Sequence, residues 1–258
     1  MFEHVTHKNK AMITLFGMPP AGGLRQLSPY VVKVELALRY LNARYETQSV
    51  DPWKIGKFSP SGKVPWIKID NLEIGESDVI IGHLVEVYKS DLLESLSTDD
   101  QILGTALKRL TEKNLYWYMV WSKLMTAESR EEIIGCFFSR YPKFIKKLVS
   151  RYAIKTQVSF SKVHEIGSLS EARRDAEATA DLLTLSGQLE KDNFILGPEI
   201  TVFDFSIAAM LASILFHMPK TWLTLLAEGY PVFPAYLSRV SDRVGGFPFT
   251  KSDPTPQD

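Results

Sequence analysis

Every strand signal in this 258-residue chain falls before residue 76, and that asymmetry constrains the fold more than any other feature. Met12 to Phe16 is short, apolar and β-prone, and Tyr45 to Val50 alternates as a strand does. Val64 to Ile69 and Leu72 to Gly75 flank the turn residues Asp70-Asn71 and read as a hairpin. Between the first two strands, MPPAGGLRQL is a loop by its prolines and glycines. Ser28-Pro29 then pairs an N-cap residue with proline at the first helical position, and Val31, Val34, Leu38 and Leu41 mark the helix behind it as largely buried. DPWKIGKFSPSG holds too many breakers for a regular helix. Glu76-Ser77 closes the hairpin and opens a helix over Asp78 to Tyr88.

From about Ser97 onward no β pattern recurs. Asp100 to Ala127, Arg130 to Tyr152, Leu169 to Glu190, Val202 to Met218 and Phe233 to Val244 have helical spacing or composition. Ser170 and the Thr201-Val-Phe-Asp204 capping pattern mark two of the helix starts. The expected fold is α+β: a tail over residues 1–11, a thioredoxin-like α/β domain over 12–90 and an all-helical domain over 98–250.

Thirty basic residues balance thirty acidic ones, so no net field favours nucleic acid or a highly charged partner. The single cysteine, Cys136, rules out an internal disulfide framework and paired-cysteine redox chemistry, and fits a reducing, cytoplasmic setting. The opening MFEHVTHKNKA lacks the apolar core of a secretory signal. The apolar stretch Ile200 to Met218 is interrupted by Asp204 and His217, which suits a buried helix and not a membrane span. No Cys/His cluster has metal-ligand spacing, there is no glycine-rich nucleotide loop, and His164-Glu165 has no second histidine at the required distance, so no metal is expected.

SPYVVKVELAL (Ser28 to Leu38) and GKVPWIKIDNLEIGESDVIIGHL (Gly62 to Leu84) together resemble the glutathione-binding half of serine-type glutathione S-transferases. The Pro/Gly loop before the serine and KFSPSGKVPW before the hairpin are similar to the failed-axon-connections and metaxin-like branch. The likeness continues through NLYWYMVWSKL, FFSRYPKFIKKLV and NFILGPEITVFDFSIAAML, covering most of the chain.

The resemblance implies a role for each of several residues. Ser28 would donate to the glutathione sulfur and hold it as thiolate beside the positive end of its helix; the competing reading is a plain N-cap. Val64-Pro65 would be cis, with Val64 pairing its backbone to the cysteinyl part. Ser77 would take the γ-glutamyl carboxylate at a helix start and Glu76 the γ-glutamyl ammonium. Lys63, with Lys57 beside it, would meet the glycyl carboxylate. Tyr30 is a rival hydroxyl for the sulfur or a packing residue, and Arg25 either approaches a bound carboxylate or is solvated.

Trp117, Trp121 and Leu124 share a helical face and read as core; Tyr116 and Lys113, off that stripe, are candidates with Arg25 and Tyr30 for the electrophile pocket. Glutathione is then a co-substrate, the second substrate a small electrophile, and the assembly a homodimer by family likeness. The alternative is a non-catalytic transferase-fold interaction module that keeps its glutathione site. A thiol–disulfide oxidoreductase is excluded by serine at position 28.

Overall fold

A computed structural model describes residues 11–88, 92, 96–139, 141–163 and 165–251; residues 1–10, 252–258 and His164, on which the tail and metal expectations partly rest, lie outside them. Inward alternation of Ile13, Leu15 and Gly17 makes β1 (Ile13–Gly17) the central strand. It pairs parallel with the exposed edge strand β2 (Tyr45–Ser49) and antiparallel with β3 (Trp66–Ile69), which forms the hairpin with β4 (Leu72–Gly75). The sheet order is β2-β1-β3-β4. Helices α1 (Pro29–Tyr40) and α3 (Ser77–Tyr88) pack on it. The breaker-rich link contains a 3₁₀ turn, Pro52–Lys54, and a single helical turn, α2 (Ile55–Phe58), where only irregular chain was expected.

The remaining elements are helices: α4 (Thr98–Arg109), α5 (Tyr116–Met125), α6 (Ala127–Phe137), α7 (Lys143–Val163), α8 (Glu171–Leu189), α9 (Val202–Leu215), α10 (Trp222–Glu228) and α11 (Val232–Arg243). Two expected long helices are each divided. A wide π turn, Leu110–Leu115, separates α4 from α5, and Pro142 starts α7 afresh after α6. The π turn also resets the rotational phase of α5. Its most buried positions are Tyr118, Met119, Ser122 and Lys123, while Trp117, Trp121 and Leu124 are only half-buried, one step round from the expected face.

One apolar core runs from the sheet through α1 into α9, whose residues from Phe203 to Leu215 are all buried. Among the described residues, no helix is long and apolar enough to cross a membrane. Asp204 anchors α9. One carboxylate oxygen accepts from the Thr201 amide (2.8 Å) and hydroxyl (2.8 Å), the other from the Ile195 amide (2.9 Å) and the Tyr236 hydroxyl (2.8 Å). Asp204→Ala leaves these buried donors unsatisfied, and we expect a loss of about 3–5 kcal/mol. Urea unfolding should show this as a lower midpoint at unchanged slope.

Candidate functional site

The hairpin register gathers three segments at one end of the sheet. Trp66 pairs with Phe16 on one side and Gly75 on the other. The residues just before Trp66 (Val64-Pro65), just after Phe16 (the 17–28 loop) and just after Gly75 (Glu76-Ser77) therefore emerge together. The Phe16 and Trp66 rings stack at 4.6 Å beneath them. Val64–Pro65 is cis.

Each segment is held by short polar side chains. Ser59 accepts from the amides of Ser61 (3.3 Å) and Lys63 (3.2 Å) and donates to the Lys63 carbonyl, which pins the approach to Val64. Gly75 admits this hairpin of chain, since a Cβ there would stand 2.9 Å from Ser61 Oγ. The next residue, Glu76, has φ +67°, a left-handed conformation uncommon outside glycine, and its carbonyl accepts from Ile80 in the first turn of α3. Ser77 is buried at the helix start; Glu76 and Lys63 are exposed, as is Lys57, which lies over the Phe58 ring.

Ser28 occupies the N-cap position of α1 with extended backbone, and its carbonyl accepts from Val31 and Val32. Its side chain caps no amide, unlike those of Ser97, Ser170 and Thr221 on their helices. Gln26, which the sequence reading passed over, closes the loop around Ser28: its side-chain oxygen accepts from the Met18 amide (3.1 Å) and the Ser28 amide (3.4 Å). A side chain at position 17 would displace Gln26, because a Cβ would fall 2.4 Å from its amide nitrogen and 2.9 Å from Val31 Cγ1. Farther out, the Gly22 amide donates to Glu132 of α6 at 2.6 Å and the Met218 amide to the Gly22 carbonyl at 2.8 Å, tying the long loop to the helical part.

Tyr30 and Arg25, the rivals near Ser28, are engaged elsewhere. The Tyr30 hydroxyl donates to the Glu112 carbonyl at 3.1 Å. Burial first, then the neighbouring Tyr116, Glu112, Asp78 and Glu76, push its pKa far above the usual phenol value, so it stays protonated. Its ring tilts against Tyr116 at 5.2 Å, which brings those two pocket candidates together. Tyr116 also meets Trp117 edge-on at 5.1 Å. Lys113 is exposed on the π turn, beside this pair in sequence. Arg25 turns inward to an ion pair with the buried Glu35 (2.7 Å) and lies over the Phe247 ring, so the structure gives it a bracing contact and not a place beside Tyr30 and Tyr116.

Beneath the site lies a buried cation that the sequence reading treated as part of an ordinary apolar helix. Lys33, with 2% of its side chain exposed, pairs with Asp78 of α3 (2.5 Å) and with Glu112 of the π turn (2.7 Å); Lys108 of α4 pairs with the other Asp78 oxygen (2.6 Å). The signal was present in Val31-Val32-Lys33-Val34-Glu35-Leu36, where two charged residues sit inside an apolar run that leaves them no polar face. Among the described residues, no three His, Cys, Asp or Glu groups are arranged to hold a metal ion.

A four-stranded mixed sheet with a cis-proline at its site end, followed by an all-helical part, is the glutathione S-transferase fold. A glutathione transferase from Phanerochaete chrysosporium superposes with a TM-score of 0.66 at 14% identity, over 91% of this chain and 98% of that one. Residues 29–129 match the family model of the glutathione S-transferase N-terminal domain. The isoprene-epoxide–glutathione S-transferase of Rhodococcus sp. (strain AD45) is 28% identical over 240 residues, 89% of this chain and 98% of that protein. Failed axon connections of Drosophila melanogaster is 25% identical over 252 residues, 93% of this chain but 60% of that longer protein. Residues 29–129 thus match the glutathione S-transferase N-terminal domain, and the chain has the glutathione S-transferase fold.

The ion network carries a pH signature. Burial alone would raise the Asp78 carboxyl, but Lys33 and Lys108 outweigh it and hold the pKa below its ordinary value of about 3.9. A depressed carboxylate contributes stability that is present above the unfolded pKa and is lost as pH falls through the folded one. Stability should therefore decline more steeply below about pH 4 in the native chain than in Asp78→Asn. Chemical denaturation across pH 2–6 measures the difference, and identical slopes would remove Asp78 from the account.

Proposed function

We propose that the chain conjugates glutathione to a small apolar electrophile, such as an epoxide or aryl halide, with Ser28 as the group that stabilises the thiolate. The observation carrying this reading is Ser28: its hydroxyl stands at a helix start and spends no hydrogen bond on capping, its amide donates to Gln26, and the loop leading to it leaves β1 at the sheet end where the hairpin register brings Val64-Pro65. A free thiol has a pKa of about 8.5, so a donor to the sulfur increases the nucleophile present at neutral pH. The thiolate attacks an electrophilic carbon, forming the C–S bond. With an epoxide the C–O bond breaks and the alkoxide takes a proton from water; with an aryl halide, halide leaves.

In this reading the Val64 backbone aligns the cysteinyl unit, Glu76 and Ser77 hold the γ-glutamyl ammonium and carboxylate, and Lys63 meets the glycyl carboxylate. Tyr30 and Tyr116 wall the apolar pocket, with Lys113 at its rim. The reading includes a glutathione-binding domain over 12–90, a helical domain over 98–250, a cytoplasmic homodimer and a detoxifying role. The likeness to the Rhodococcus enzyme, named for isoprene epoxide, supports an epoxide among the electrophiles to test first.

A second reading, a binding module without turnover, is favoured by one feature. With Tyr30 and Arg25 committed elsewhere, activation rests on a single hydroxyl. The two readings separate experimentally. Calorimetry should report glutathione binding, and a panel of epoxides and aryl halides should report conjugation. Ser28→Ala should cut kcat/KM about ten- to a hundredfold and move the pH–rate profile toward the free-thiol value, with glutathione affinity and Tm nearly unchanged because no cap is lost. Activity indifferent to Ser28→Ala would overturn its role; binding without turnover would leave the module; no binding would overturn both.

A further inference from the structure

Helix α7 holds six lysines and arginines and no acidic residue over its 21 residues, in a chain whose charges cancel only when summed over its whole length. One flank of it is used by the fold. Val149 is buried with Ile134 of α6 and Phe138 just after it in a small core separate from the main one, and Ile145 packs against that cluster. At 100° per residue the arc adjoining that flank carries Phe144, Lys147, Leu148, Arg151, Tyr152 and Lys155. All six are exposed, and Phe144, Leu148 and Tyr152 keep 74%, 67% and 63% of their surface in solvent. Lys147, Arg151 and Lys155 make no ion pair with a carboxylate among the described residues.

Single exposed apolar residues are ordinary, but three large ones on successive turns, interleaved with unpaired cations, form a directed surface. We infer that this face of α7 docks on an anionic lipid bilayer. Charge complementarity selects the occupant: the arc supplies only cations, and an anionic leaflet attracts each of them. Its form agrees, because an exposed helix side carries no strand edge for a partner strand, whereas a bilayer interface accepts such a side to a depth of about 5–10 Å. Phe144 and Leu148 would enter the acyl boundary, Tyr152 would sit at headgroup level, and the lysine and arginine stems would reach back to the phosphates. Three apolar side chains bind weakly alone, so attachment needs both signals and is reversible. The docking is peripheral.

Co-sedimentation of the full chain with vesicles tests this. The chain should pellet with phosphatidylcholine vesicles containing about 30 mol% phosphatidylserine at low salt, and stay in the supernatant with phosphatidylcholine alone or at about 0.5 M salt. The triple variant K147Q/R151Q/K155Q should lose about a hundredfold in partition, roughly fivefold per cation. Phe144→Ser with Leu148→Ser should release the chain as well, with helix content by circular dichroism unchanged. The inference is overturned if the native chain fails to pellet with anionic vesicles at low salt, or if neither variant weakens binding. It is equally overturned if the apolar variant instead turns a dimer into a monomer with no vesicle binding, which would make the face a contact between copies.

Discussion

The buried ammonium of Lys33 is the constraint around which the site end of the molecule is organised. A charge with almost no solvent contact is tolerated only where anions surround it, so α1 cannot settle until α3 supplies Asp78 and the π turn supplies Glu112. Those carboxylates belong to elements that also carry Ser77 and precede Tyr116. The requirement to neutralise one lysine thus draws together the helix that Ser28 precedes, the helix start that follows the hairpin, and the wide turn leading to Tyr116. Removing one partner leaves an uncompensated buried charge, which gives this junction an all-or-none character that apolar packing would not impose.

Around that junction, hydrogen-bond accounting separates side chains that look equivalent on paper. Ser28, Tyr30 and Arg25 lie within six positions of each other, and each is chemically capable of meeting a thiol or carboxylate. Glu112 takes the Tyr30 hydroxyl and Glu35 takes the Arg25 guanidinium, so the protein's own acceptors satisfy both. Among the described residues, the Ser28 side chain makes no cap hydrogen bond. Gln26 accepts from its amide while its hydroxyl caps no amide, so the helix forgoes the roughly 1 kcal/mol that a capping hydroxyl contributes.

Features set by neighbours in sequence were legible in advance: the four strands, the Asp70-Asn71 turn, the caps at Ser170 and Thr201, and the Val64-Pro65 and Glu76-Ser77 pairs all announce themselves within a few residues. What escaped depends on distant contacts or on geometry without a residue signature. Lys33 reads as an intruder in an apolar helix until its partners, 45 and 79 residues away, are beside it. The π turn has no composition of its own, and missing it rotated the expected core face of α5 onto Trp117 and Trp121. The short α10 was overlooked because its capping pair, Thr221 with Thr224, lacks the acidic residue that usually marks such a start. The role of Gln26 depends on the bare backbone of Gly17, nine positions earlier.

Zero net charge is itself a statement about averages. The balance of thirty against thirty excludes a global field but permits a local one, and the acids of this chain are unevenly spent. Asp78, Glu112 and Glu35 are consumed internally by Lys33, Lys108 and Arg25, so those charges cancel at contact distance and project little beyond the surface. Among the described residues, Lys147, Arg151 and Lys155 of α7 have no such carboxylate partners. Because screening limits exposed charges to about 10 Å, what an approaching surface experiences is the uncompensated helix and not the sum over the chain. A neutral protein can therefore present a basic apolar edge, provided its carboxylates are used to hold the interior together.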